Sequence, residues 1–429
     1  MPNAKPHTVH QAGTAIRRLS THPLAALLAL WLACGATDGA TPAATRPAES
    51  ATATAPGASG ASIPAPLRNQ VAAAIQRSLK RLESTQHPDG GWPGFDENSD
   101  PAVSSLIAKA FAQDPRYGPK HPVVRKALRF ILAAKQPDGG IYAVPLVKNY
   151  SASVALMFLS SLDDPALRDE IRAQQTFLTS RQWHEGKTDN DGRPIDPKHP
   201  WYGGAGYGRH QRPDLSNTQM MLEALHQSGL PATDPVFQRA VVFISRCQMC
   251  GDTNDMPFAK FARDGGFIYT DANGGESKAG TETVDGHELL RSYGSMTYAG
   301  FKSLLYANVD RNDHRVQLAY RWIRSNYTLD ANPNMPGQHS KEGLYYYYHV
   351  FAKALAAWGQ PTIEMLDGTK RNWRLDLCNK LLAAQQPDGS WVNTADRWME
   401  GNPDLVSAYA ILALQQALND APPGPHARQ

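Results

Sequence analysis

Gln86 to Trp92 reads QHPDGGW, and two further stretches repeat it almost letter for letter: KQPDGGI at 135–141 and QQPDGSW at 385–391. Ahead of the first copy, Val71, Ile75, Leu79 and Leu82 fall on one face of a helix. Proline then stops that helix, Asp and glycine supply a positive-φ turn, and the following Trp or Ile folds back onto it. Weaker echoes stand at SRQWHEG around Trp183, at RDGGFIY up to Tyr269, and around Gly337 to Gly343. Together they mark about six units of ~50 to 75 residues, the signature of a helical repeat array.

The second helix of each unit has a different pattern. YSASVALMFLSSL from Tyr150 and DLVSAYAILALQQAL from Asp404 are apolar on nearly every side, so they are expected to be buried all round. One-sided helices alternating with all-sided ones, about twelve in total, predict an outer ring around an inner ring. The expected fold is all-α, an α/α toroid of six hairpins spanning 67–420, followed by a disordered tail at 421–429.

Upstream, Lys5, Arg17 and Arg18 precede an apolar run from Leu24 to Ala33, too short to span a bilayer and suited to a secretory signal over residues 1–34. LWLAC, ending at Cys34, resembles the lipobox of bacterial lipoproteins, with Trp31 where that motif has leucine. It would tether the chain to a membrane through Cys34. Residues 35–66 are rich in Ala, Thr and Pro and are read as a disordered tether. The chain is therefore expected to be exported, as a periplasmic or outer-membrane lipoprotein.

A net charge of +3 spread over 43 basic and 40 acidic residues gives no basic stripe, and no nucleic-acid partner is implied. Four cysteines are too few for a disulfide scaffold. Cys247 and Cys250 form a CxxC after a helical run rather than at a helix start, which argues against redox chemistry. Only Cys378 remains as a further thiol, so Cys247 and Cys250 are expected as a local disulfide, favoured by an oxidising compartment, or as inert thiols, and neither a metal nor a cofactor is expected. Nothing in the sequence fixes an oligomeric state.

The PDG(G/S)W turns and the helix starts after them resemble the repeats of squalene and terpenoid cyclases and of protein prenyltransferase β subunits (the prenyltransferase and squalene oxidase repeat). The resemblance covers Leu67 to about Leu418 and implies the α/α toroid those families share. Squalene and class II terpene cyclases carry DxDDTA at an inner-helix start, whose middle Asp protonates an alkene. The matching stretch here is DLSNTQ, Asp214 to Gln219, with Ser216 in place of that acid. A serine hydroxyl is far too weak an acid for that step. The prenyltransferases hold zinc with an Asp, a Cys two residues on and a later His. YYHVFAKAL supplies His349, but Tyr293 and Ser295 stand in the other two positions.

Asp100, Asp214 and Asp404 precede inner helices and are expected as N-caps sharing one rim with the converging helix dipoles. Phe261 to Tyr298 reads as a long polar loop, in which Asp285, His287, Glu288, Arg291, Tyr293 and Tyr298 could supply an acid, a base and a charge clamp, or could simply cap and salt-bridge the next helix. The expected catalytic set is Asp285, His287, Tyr298 and His349. Tyr202, Tyr207, Asp214, Asn217, Arg291, Tyr293 and Tyr347 are expected to bind substrate, with Arg209 and His210 at the mouth. Of the run Tyr345 to Tyr348, only one or two rings can face a cavity.

Three functions follow as expectations. The first is an isoprenoid or other apolar ligand held in the central cavity without DxDD-type chemistry. The second is a cell-surface polysaccharide lyase or hydrolase on the same toroid, with a glycan ligand. The third is a non-catalytic envelope interaction module. A dry aromatic chamber would favour the lipid; convergence of Asp285, His287 and Tyr298 on an open groove would favour the glycan.

Overall fold

In a computed structural model, the described residues are 63–208 and 212–419. The expected signal segment, nearly all of the tether, Cys34, Arg209, His210 and the tail lie outside them. Twelve α-helices follow in order: α1 (Ala65–Ser84), α2 (Pro101–Ala112), α3 (Pro122–Ala133), α4 (Lys148–Ser161), α5 (Arg168–Arg181), α6 (Leu215–Gln227), α7 (Pro235–Cys247), α8 (Gly294–Tyr306), α9 (His314–Asn326), α10 (Leu344–Trp358), α11 (Trp373–Ala384) and α12 (Pro403–Leu418). α1 thus begins two residues inside the stretch read as tether, at a proline-led start that needs no side-chain cap.

The even-numbered helices pack each on the next, and α12 returns to α2, closing an inner ring of six. The odd-numbered helices lie outside it, and α1 meets α11 where the outer ring closes. Burial follows the sequence pattern. α1 buries only Val71, Ala74, Ile75, Ser78, Leu79 and Leu82, whereas every residue of α2 is buried. No described helix is long and apolar enough to cross a membrane. The departures from all-α are two short antiparallel hairpins, β1 (Thr281–Val284) with β2 (His287–Leu290), and β3 (Thr362–Glu364) with β4 (Lys370–Asn372).

The PDGG turns show what joins the units. In the first, Gly90 N–H donates to His87 O and His87 N–H to Gly91 O, at 2.9 and 3.0 Å. Gly90 sits at φ 99°, and a Cβ there would fall 2.5 Å from Lys126 O, so glycine is required twice over. The indole N–H of Trp92 folds back to Leu82 O at 2.7 Å, and that of Trp391 to Leu381 O at 2.8 Å.

The same backbone pair closes two turns that the sequence disguises: Trp183 with Gly203 and Gly204, and Met249 with Gly265 and Gly266. Residues 184–202 and 250–264 are insertions into these turns. The echo at Trp183 therefore has its glycines in WYGGAGYG, twenty residues downstream. Gly337 to Gly343 holds a short 3-10 turn, Gly337–His339, and none of these bonds.

One glutamine precedes each of four turns. Its side-chain amide donates both to the carbonyl of the positive-φ glycine and to a carbonyl on the next outer helix: Gln86 to Gly90 and Val123, Gln182 to Gly203 and Val236, Gln248 to Gly265 and Arg315, and Gln385 to Gly389 and Ala74. Lys135 takes this place in the second turn, and Gln174 reaches back to Gly139 O instead. Each amide gives the turn glycine's carbonyl a donor and adds a second bond to a carbonyl already in the next outer helix, and so stitches one outer helix to the next.

Candidate functional site at the inner-helix rim

The inner helices begin on one rim, and their first turns reach across it. Tyr150 on α4 hydrogen-bonds Tyr409 on α12 at 2.8 Å, past the intervening α2. Tyr346 on α10 meets Ser216 on α6 at 3.1 Å and accepts from Gln219 Nε2 at 2.9 Å, past α8. Tyr346 and Tyr409 pack edge to face at 6.1 Å. Tyr150, Tyr207, Ser216 and Tyr346 keep some accessible surface, whereas Gln219, Glu223 and Lys302 below them are fully buried. Burial pushes the Tyr150 hydroxyl up to about 12, and the other rim hydroxyls are raised too, so all stay protonated near neutral pH.

Asp214 caps α6 as expected. Its Oδ1 accepts from Asn217 N at 2.8 Å, and the Asn217 amide reaches both carboxylate oxygens. Burial lifts the Asp214 carboxyl to about 6, against these hydrogen bonds and the nearby Arg212 charge. Asp100 caps α2 in the same way. Asp404 does not cap α12; Asn402 does, one proline earlier, and frees Asp404 for Arg81 at 2.6 Å. On α10 the cap position is Gly343, which has no side chain to offer. Glu400 takes over by accepting from Tyr346 N at 2.7 Å and from Asn393 at 2.6 Å, and burial lifts its carboxyl to about 7.

Deeper in the ring lies a layer of charge. Lys109, Glu223 and Lys302 each stand nine residues beyond the caps Asp100, Asp214 and Tyr293, and Lys353 stands ten beyond Gly343. At 1.5 Å per residue that is about 13 Å below the rim. Glu223 is fully buried, ion-pairs with Lys302 and lies 3.5 Å from Lys353. Although burial opposes ionisation, Lys302 and Lys353 hold the Glu223 carboxyl well below the usual range. Lys109 Nζ donates to Gln227 Oε1 at 2.9 Å, and Gln227 donates to Glu223 Oε1 at 2.8 Å. Gln219 joins the layer to the rim, accepting from Lys302 at 2.6 Å while donating to Tyr346. Ser216, Gln219, Glu223 and Gln227 thus form one polar stripe down α6.

His349, one turn nearer the rim than Lys353 on α10, is 2% exposed, and neither ring nitrogen has a partner. Burial lowers its basicity to about 3, so it is neutral. It packs 5.6 Å from the Tyr409 ring. The zinc-like pattern does not assemble: Tyr293 precedes α8 at the rim, and Ser295 is bonded to Asn332.

The other expected residues separate. Asp285 and His287 sit at the exposed tip of the β1–β2 hairpin, and His287 stacks on Phe261 at 3.8 Å. Tyr298 is fully buried in α8, edge-on to Tyr347 at 5.5 Å. The expected acid, base and clamp therefore do not converge. The alternating residues of 281–290 pair as strands, which carries the hairpin tip into solvent. Arg291 lies beyond β2, 3.6 Å from Glu282. Tyr202 bonds Glu185 at 2.8 Å in a satellite core with Ile195 and Trp201. Tyr347 donates to Thr328 O at 2.8 Å, so the ring facing the lumen is its neighbour Tyr346. Tyr207, Asp214, Asn217 and Tyr293 do belong to the rim.

Cys247, Cys250 and Cys378 are free thiols, so the expected local disulfide is absent. Cys250 instead lies with Asp252 and His314, their ligand-type atoms all within 4.8 Å of one another, on the insertion and the start of α9.

No family model matches the chain. A drimenyl diphosphate synthase of Streptomyces showdoensis is 32% identical over 112 residues, 23% of this chain, and the match spans only 21% of that relative. Among solved structures, a type II terpene cyclase from Scytonema aligns with TM-score 0.50 and 12% identity over 82% of this chain and 98% of its own. That cyclase has also been solved with geranylgeranyl dihydroxybenzoate as substrate. An α-1,6-mannanase of Salegentibacter, solved with mannotriose, aligns equally well at TM-score 0.50, with 10% identity over 81% of this chain and 98% of its own. At these identities the likeness is one of fold, so different chemistries share the frame. The described residues form an α/α toroid, the fold shared by these solved structures.

Proposed function

We propose that this toroid binds an isoprenoid or other apolar chain inside its inner ring and does not start its cyclisation by protonation. The observation that carries the reading is Ser216, which stands at the α6 start where the resembling cyclases keep their proton-donating acid, and which is bonded to Tyr346. The nearest carboxyl, Asp214, is occupied as a helix cap. The rim around them offers tyrosine rings, whose apolar faces suit a hydrocarbon chain. The glycan reading loses its expected catalytic set, because Asp285 and His287 lie at the exposed hairpin tip while Tyr298 is buried in α8.

Incubation with squalene, geranylgeranyl phosphate or total membrane lipid, followed by gel filtration and mass spectrometry of the extracted lipid, tests the reading. Unaltered lipid should co-elute with the protein. No retention, or a cyclised product, overturns it. Export through residues 1–34 and a lipid tether at Cys34 are part of the proposal. Membrane fractionation of wild type against Cys34→Ser checks them, the variant being expected in the soluble fraction.

A further inference from the structure

The layer below the rim does not balance. Lys109, Lys302 and Lys353 face a single carboxylate, Glu223, within a ring section whose remaining helices offer Leu156 on α4 and Ile411 on α12 at the same depth. Buried charge without a counter-charge is costly, and Lys109 shows the strain, its basicity lowered by burial to about 7. One further group lacks partners: His349, one helical turn before Lys353 on α10, has both ring nitrogens buried and unbonded. A neutral imidazole carries one N–H, and three ammonium groups carry more donors than Glu223, Gln219, Gln227 and Met157 O accept.

We infer that this layer receives the oxyanion head, phosphate or carboxylate, of the apolar chain, with Lys109, Lys353 and His349 as donors. This rests on the proposed binding of an apolar chain in the ring. Lys302 stays with Glu223 and Gln219 and holds the layer together, whereas Lys353, at 3.5 Å from Glu223, is the more loosely held ammonium. A negative head restores balance and supplies the acceptors that are missing, through charge-assisted hydrogen bonds in a low-dielectric site. The Ser216–Tyr346–Gln219 bridge lies between rim and layer, so these side chains must part for the head to pass.

The test measures binding of geranylgeranyl phosphate, geranylgeraniol and inorganic phosphate to the wild type, to Lys109→Met and to Lys353→Met, with helix content checked by circular dichroism. The wild type should bind the phosphate ester at least about tenfold more tightly than the alcohol. Each folded variant should keep its affinity for the alcohol and lose most of that preference. Equal affinity for ester and alcohol in the wild type overturns the inference while leaving the apolar reading standing. So does a preference that survives in both variants. If neither lipid binds but inorganic phosphate raises the unfolding temperature of the wild type and of neither variant, the oxyanion site stands and the apolar reading falls.

Discussion

At the outer turns, Gln86, Gln182, Gln248 and Gln385 hold neutral backbone carbonyls, and Trp92 and Trp391 lie over the helices they follow. In the inner layer, Glu223 holds ammonium groups from helices 79 and 130 residues further along the chain. The turns are half-buried to buried and the charged groups of the layer are all buried, yet what sets the two regions apart is what removal does. A turn loses packing and a hydrogen bond, each confined to one joint. The layer loses the carboxylate that compensates both Lys302 and Lys353, so one substitution is felt on several helices. Architecture is carried by repeated local devices, and specificity by a single long-range cluster.

Trp391→Ala should have the largest effect. It opens a cavity and strips Leu381 O of its donor, lowering stability by about 4 kcal/mol in urea unfolding. Glu223→Gln should follow, at about 3 kcal/mol, because Lys302 and Lys353 are left without a counter-charge. If it costs no more than a surface substitution, the layer is not a compensated cluster. Gln248→Ala should cost about 2 kcal/mol by leaving the Gly265 carbonyl without its donor and cutting the tie to Arg315 on the next outer helix.

Lys109 sharpens the contrast through pH. Its amine titrates near 7 in the folded chain against 10.5 ordinarily. Between those values the unfolded chain holds a proton that the folded chain has released, so this group makes stability rise with pH across that window. Lys109→Met removes the slope. Its advantage in unfolding temperature over the wild type should be greatest at or below pH 7 and fade toward pH 10. His287→Ala, at the hairpin tip, should change stability by less than about 0.5 kcal/mol.

The ring was legible because its joints are contiguous: proline, aspartate, glycine and tryptophan act within seven residues of one another. Where insertions separate Trp183 from Gly203, and Met249 from Gly265, the same joint could be read only as an echo. The rim was half legible. Helix starts pointed to Asp214 and Asn217, but four consecutive tyrosines gave no way to choose Tyr346 over Tyr347, since a single residue's rotation decides which ring enters the lumen. The layer has a sequence signal of its own. Lys109, Lys302 and Lys353 are lone charges in otherwise apolar helices, at nearly equal distances from the helix starts. Equal depth becomes visible only once the closed ring is known. Asp285 and His287 misled in the opposite sense, because proximity in sequence to Tyr298 stood in for proximity in space.

A benzophenone-bearing analogue of geranylgeraniol, photolysed with the protein and mapped by peptide mass spectrometry, tests the central claim most directly. Ligand held in the inner ring places its cross-links on the peptides carrying Tyr150, Gln219, Tyr346 and Tyr409, and excess geranylgeraniol suppresses them. Labels confined to the 281–290 hairpin or to the outer helices, or labels that geranylgeraniol does not suppress, contradict it.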